Sequence, residues 1–108
     1  RASLGEKKLT MAELEGTEAR SVVAFLAKAG RQPDDMLRFF DRKDYFCVVG
    51  RDAETVAVEY FKSTACIKFV QQGGERWSYL SINKKMASEV MRAALLTQRR
   101  RVEVYRPD

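Results

Sequence analysis

The residues that could do chemistry gather in one short segment, 39–47. It places the cations Arg42 and Lys43 just before the aromatics Tyr45 and Phe46. Cations neutralise phosphates and release counterions, and aromatic rings stack on unpaired bases or wedge between base steps. The pattern indicates a nucleic-acid contact. The alternative is that both aromatics pack in a sheet and the cations are ordinary turn residues; the residues alone favour this alternative.

Other basic clusters occur outside this segment. Lys84 and Lys85 open a predicted helix, where cations oppose the helix dipole, so a phosphate partner or nearby acids must compensate them. The run Arg99–Arg101 follows the same helix, where cations suit the dipole. Lys7 and Lys8, near the N-terminus, are a further candidate nucleic-acid contact. The formal net charge of +5 fits either a polyanionic partner or a solvated basic surface.

Enzymatic and metal chemistry find little support in the composition. The 108 residues contain two cysteines and no histidine, so a nucleophile lacks its usual base and a tetrahedral zinc site lacks ligands. No G-x-x-x-x-G-K-[ST] phosphate loop occurs. We therefore predict no catalytic residue, no metal site and no cofactor in this chain. Cys47 and Cys66 lie in apolar runs, which predicts two buried thiols.

The elements that position these residues follow from hydrophobic periodicity. The pattern predicts one α+β domain, with about three helices packed on a mixed sheet of about five strands, in the order α-β-β-α-β-β-α-β. Helices are expected over 18–29, 53–62 and 84–97, capped by Thr17, Asp52 and Asn83. Strands are expected over 36–40, 45–49, 66–70, 76–82 and 101–106. Neighbouring strand residues point to opposite faces, so a sheet covered on one face leaves Tyr45 or Phe46 facing outward or under a flanking loop.

The N-terminal region is expected to differ from the rest of the chain. Residues 1–16 are predicted to form an arm that is partly mobile or helical, and residues 17–108 the domain itself. An alternative is that the first helix extends back toward Met11, although Gly16 disfavours helix at that position. No apolar run approaches the roughly 18 residues of a membrane span, and segment 1–8 has no signal core. These features predict an intracellular protein without a membrane partner, and Arg1 predicts a piece of a longer protein.

Three stretches resemble the N-terminal domain of eukaryotic MutS-family DNA mismatch-repair proteins. Segment 37–50 is similar to the family's first hairpin, which has an apolar strand, a polar turn ending in Asp, and two aromatics. Segments 61–69 and 100–105 resemble the subunit shared by both eukaryotic heterodimers, and the closing R-V-E-V-Y is the most specific match. The resemblance covers roughly residues 17–108.

The resemblance implies a role for the hairpin. In the mismatch-reading members, the hairpin Asp precedes a Phe-x-Glu motif, whose Phe stacks at the mispair and whose Glu bonds a mispaired base. Tyr45, Phe46 and Cys47 occupy those positions here, so the carboxylate is missing. The implied function is contact with the backbone of duplex DNA near a mispair or insertion-deletion loop, without direct base reading. Arg42, Lys43 and Tyr45 are then nearest the DNA.

The resemblance also implies partners. A second MutS-homologue subunit supplies the reading motif in a nuclear heterodimer that repairs DNA damage, and the family's ATPase lies in a separate domain. One alternative is an interaction module that docks on its own connector domain or partner subunit, with incidental DNA contact and buried Tyr45 and Phe46. Another is that Tyr45 inserts at large insertion-deletion loops.

Overall fold

The computed structural model describes residues 11–29 and 35–106, and within the first helix it describes side chains from 17 to 28. These ranges contain three α-helices and five strands in the predicted order, which confirms the α+β prediction. The elements are α1 (Met11–Ala29), β1 (Met36–Asp41), β2 (Phe46–Val49), α2 (Arg51–Tyr60), β3 (Lys68–Gln72), β4 (Glu75–Ile82), α3 (Lys84–Arg92), a π-helical turn (Ala93–Thr97) and β5 (Arg101–Tyr105). No helix in these ranges has the length and apolar character needed to cross a membrane.

The five strands form one mixed sheet in the order β3-β4-β2-β1-β5. β1 and β5 run parallel, and the other neighbouring pairs are antiparallel. Phe46 lies opposite Ile82, and Phe40 lies opposite both Cys47 and Tyr105. The β1–β2 turn, the end of β4 and the end of β5 therefore lie at one end of the sheet. We call residues 42–45, 83–85 and 106 the turn end.

Helices cover both faces of the sheet. α2 and α3 bury one cluster against it, and α1 buries a second cluster against the opposite face. The neighbours Phe39 and Phe40 show the alternation, because they are 0% and 5% exposed and belong to different clusters. Tyr45 packs on the α1 cluster and Phe46 on the α2/α3 cluster. The prediction that one of these two aromatics lies outward or under a flanking loop is wrong, because it assumed a single covered face and both residues are partly buried against a core cluster.

Two of the three predicted helix caps are wrong. α1 begins at Met11, so Thr17 lies inside the helix. Asp52 lies in the first turn of α2 and is buried, and its carboxylate accepts the backbone N–H of Arg38 at 3.0 Å. It thus ties α2 to β1 instead of capping the helix. The Asn83 cap is confirmed, because its side-chain oxygen accepts the N–H of Met86 at 2.8 Å.

The two thiols have different environments. Cys47 lies in β2 and is 1% exposed, as predicted. Cys66 is exposed, so its predicted burial is wrong. β3 starts at Lys68, two residues later than expected, and Cys66 therefore lies in the irregular link before the strand. The division into an arm over 1–16 and a domain over 17–108 stays a prediction.

Candidate nucleic-acid interface

The turn between β1 and β2 is tightly hydrogen-bonded. The N–H of Arg42 donates to the carbonyl of Tyr45 at 2.9 Å, and the N–H of Asp44 donates to the carbonyl of Arg42 at 2.9 Å. Lys43, at the apex, has φ 75° and donates its N–H to a carboxylate oxygen of Asp41 at 2.8 Å. Left-handed backbone costs a residue with a side chain about 1–2 kcal/mol. The turn holds that strain and presents the exposed Lys43 side chain at the apex.

Glu18 of α1 binds two of the predicted contact residues. One carboxylate oxygen lies 3.2 Å from a terminal guanidinium nitrogen of Arg42, and the other accepts a hydrogen bond from the Tyr45 hydroxyl. The Arg42 side chain is 24% exposed, and its Nε is buried with no hydrogen-bond partner among the described residues. Glu18 therefore anchors the turn to α1 and neutralises much of the Arg42 charge.

The remaining predicted contacts lie elsewhere. Phe46 is half-buried and packs on the α2/α3 cluster, whereas Tyr45 packs on the α1 cluster. Lys7 and Lys8 lie outside the described residues. The structure therefore brings Arg42, Lys43 and Tyr45 together at the turn, and it separates Phe46 from them by the thickness of the sheet.

Three further cations join Lys43 at the turn end. Lys84 and Lys85 follow the Asn83 cap and are exposed, and no described acidic side chain pairs with them. Arg106 follows β5 and is highly exposed, with its Nε 3.9 Å from Asp41. The sequence marked Lys84 and Lys85 as cations at an unfavourable helix end but left their role open, and it did not single out Arg106. The strand register brings these cations to the same end of the sheet as Lys43.

Acids at this end are partly engaged. Glu18 binds Arg42 and Tyr45, and Asp41 accepts the N–H of Lys43 and lies near Arg106. Asp44 is exposed. Solvent-exposed cations therefore outnumber unpaired carboxylates at the turn end, which favours binding of a polyanion.

The arginine run is arranged differently. Arg100 forms an ion pair with Glu59 at 2.9 Å, and Arg101 forms one with Asp35 at 3.0 Å. The Arg100 hydrogen bond holds the pKa of the Glu59 carboxyl below its ordinary value, and Arg101 does the same for the pKa of Asp35. Arg101 opens β5 opposite Met36, at the end of the sheet away from the turn. Two of the three arginines therefore fasten elements to one another.

Among the described side chains, those of residues 17–28 and 35–106, no three His, Cys, Asp or Glu come together as a possible metal site. The two cysteines are both free thiols. The absence of a catalytic group and of a cofactor stays a prediction from the sequence.

Comparison with known proteins identifies a protein family that this chain matches. A family model described as MutS domain I matches residues 20–107. DNA mismatch repair protein MSH2 of Arabidopsis thaliana is 29% identical over 103 residues, which cover 93% of this chain and 11% of that protein. DNA mismatch repair protein spellchecker 1 of Drosophila melanogaster is 37% identical over 89 residues, covering 80% and 10%. The chain thus spans about a tenth of the length of these curated relatives.

Proposed function

Since the chain belongs to the MutS domain I family, we propose that it serves DNA mismatch repair by holding the backbone of duplex DNA beside a mispair or insertion-deletion loop. Reading of the mispaired base falls to a second MutS-homologue subunit, in a heterodimer that acts in the nucleus. The observation that carries this proposal is Lys43, exposed and without an acidic partner among the described side chains, at the apex of a rigid turn.

The charge distribution supports backbone contact. Lys43, Lys84, Lys85 and Arg106 lie at one end of the sheet. Contacts from Lys and Arg to phosphates fix a protein's position on a duplex and carry no direct sequence information. A set of cations on three different elements can therefore grip the backbone without distinguishing one base pair from another.

The hairpin lacks the groups that read base edges. Cys47, at the position of the family motif's Glu, is 1% exposed between the sheet and α1. A thiol is also a weak donor and a weak acceptor compared with a carboxylate. The Tyr45 hydroxyl is hydrogen-bonded to Glu18, so insertion of Tyr45 at a loop requires that bond to break. These contacts favour support of the DNA over direct reading by this hairpin.

A second candidate function is docking on a connector domain or partner subunit. Leu95 and Leu96 favour it, because they are 50% and 75% exposed and lie together on the turn after α3. Exposed apolar patches often mark protein contacts. In this case DNA contact is incidental, and removal of the apex cation leaves DNA affinity unchanged.

Lys43→Gly tests the DNA proposal without disturbing the turn. Glycine adopts φ 75° at no steric cost, so we expect the free energy of unfolding to stay constant or rise by up to about 1 kcal/mol. If Lys43 contacts a phosphate, the slope of log K against log salt falls by about 0.9. Fluorescence anisotropy of the chain on labelled duplexes, matched and mismatched, measures both affinity and slope across a salt series.

Arg99→Gly is the matched control. Arg99 is also exposed and has φ 54°, so the same substitution removes one positive charge from a left-handed residue outside the turn end. Its salt slope should equal that of the wild type. Equal slope losses in both variants would mean that net charge alone drives binding. A wild-type preference for the mismatched duplex would contradict the absence of base reading.

A further inference from the structure

A cleft with aromatic walls lies beside the turn. α1 packs mainly over β2, β3 and β4, and a space of about 230 Å³ remains between α1 and the β1–β5 edge. The rings of Phe40 and Tyr105 stack there with centroids 5.0 Å apart and 15° between their planes. Phe25 meets Tyr105 edge-on at 5.3 Å and is 47% exposed. An aromatic surface is therefore open to solvent in this cleft.

Cations and a hydroxyl complete the lining. Arg42 and Arg106 border the cleft on the side of the turn end, and Ser21 lines it from α1. The Arg106 side chain is 78% exposed, and its contact with Asp41 is long at 3.9 Å. Arg42 has five N–H donors, of which one bonds Glu18, so it retains donors for a second anion. The cleft thus combines aromatic walls with two guanidinium groups at its rim.

We propose that this cleft holds one extrahelical base of an insertion-deletion loop, with the flanking phosphate on Arg42 and Arg106. Aromatic rings stack on any base, because every base has a π-face, and guanidinium groups bind phosphate. Pockets for drug-sized ligands span about 300–1,000 Å³, so this smaller cleft suits a single planar ring. An acidic peptide shares the charge but needs a longer groove.

The location makes an unpaired nucleotide the favoured occupant. Arg42 is the chain neighbour of Lys43, so the cleft adjoins the proposed contact with the duplex backbone. A base extruded there stays tethered to DNA that the domain already holds, which raises its effective concentration at the cleft. The inference therefore rests on the proposed function and extends it from the backbone to the unpaired strand.

Binding in the cleft is expected to tolerate any base. Stacking on Phe25 or Tyr105 does not depend on hydrogen bonds at the base edge. Ser21 contributes one hydroxyl to the lining, which is too little to tell four bases apart. The occupied cleft therefore responds to the presence of an extrahelical base and not to its identity.

The test compares three DNA probes with the same flanking duplex. One carries a three-nucleotide loop containing 2-aminopurine, one carries the same loop built of abasic spacers, and one is fully paired. We expect about tenfold tighter binding of the base-containing loop than of the spacer loop, within the range of one base–aromatic stack. Binding should also quench 2-aminopurine emission, because the base leaves solvent and stacks.

Phe25→Ala should abolish both the preference and the quenching while leaving affinity for the paired duplex unchanged. Val58→Ala is the matched control, since Val58 is 53% exposed on α2, across the sheet from the cleft. Circular dichroism checks that both variants keep the wild-type fold. Arg106→Ala is a second probe, expected to lower the salt slope on the base-containing loop.

Three results would overturn the inference. Equal affinities for the base loop and the spacer loop, with Lys43-dependent binding of the paired duplex intact, would remove the cleft's role and leave the proposed function standing. Loss of Lys43 dependence on every probe would remove the proposed function as well. Sedimentation showing self-association that Phe25→Ala disrupts would mean that a second copy of the chain fills the cleft.

Discussion

Two cationic regions of this domain look alike in the sequence and differ in the structure. At the turn end, Lys43, Lys84 and Lys85 are exposed, with no acidic partner among the residues described. In the arginine run, Arg100 and Arg101 bind Glu59 and Asp35 at 2.9 and 3.0 Å. A basic cluster in a sequence therefore indicates an anionic partner only when the structure shows that no acidic side chains already neutralise it.

Two neighbouring cations within the turn end also differ in their contacts. Arg42 and Lys43 are adjacent in the chain, yet Arg42 is bonded to Glu18 while Lys43 stands at the apex. The cation paired with Glu18 and the cation without an acidic partner among the described side chains are therefore different residues, and their substitutions should have different consequences.

The largest effect on stability is expected from Glu18→Ala. It removes the shared partner of Arg42 and Tyr45 and leaves a half-buried guanidinium without its carboxylate. Hydrogen bonds to charged groups are worth about 1.5–3 kcal/mol, and we expect a loss of that order in the free energy of unfolding. Urea denaturation measures it, with the exposed neighbour Arg20→Ala as control. A change below about 0.5 kcal/mol would show that Glu18 does not anchor the turn.

The next largest effect is expected from the double variant Lys84→Ala with Lys85→Ala. Removing cations from the start of α3 should raise stability by about 0.3–1 kcal/mol, because they oppose the helix dipole. If both lysines contact phosphates, the salt slope for DNA falls by about 1.8. Arg92→Ala with Arg99→Ala removes the same charge outside the turn end and should leave the slope unchanged. Equal slopes for the two double variants would remove the distinction between the regions.

The smallest effect concerns pH and belongs to the arginine run. Arg100 lowers the folded-state pKa of Glu59, so the stabilisation is present above the unfolded pKa of about 4.3 and is lost as pH falls through the lower folded value. A partly exposed pair contributes up to about 1 kcal/mol. Glu59→Gln should thus be less stable than the wild type at pH 7, and the gap should close below pH 4 in urea titrations. A gap that persists at low pH would contradict this assignment.

Much of the fold could be predicted because its signals are local. Two β-rich runs around a short polar link predicted the β1–β2 hairpin, and an Asn before an amphipathic stretch predicted the start of α3. The Asp52 cap failed because a carboxylate near a helix start can instead bind a distant backbone, here the N–H of Arg38. The candidate site stays a prediction, and the different roles of Arg42 as anchor and Lys43 as apex residue were not predicted from the sequence.

The element order and the mixed sheet follow from the sequence, since both depend on residue types at short spacing. By contrast, only the tertiary structure shows which charges are neutralised by ion pairs and which aromatic side chains are covered by a helix. Glu18 reaches Arg42 across 24 positions, and α1 covers the face that would otherwise expose Tyr45. Charge pairing and burial are set by distances in space, and helix packing brings together residues that no short pattern relates.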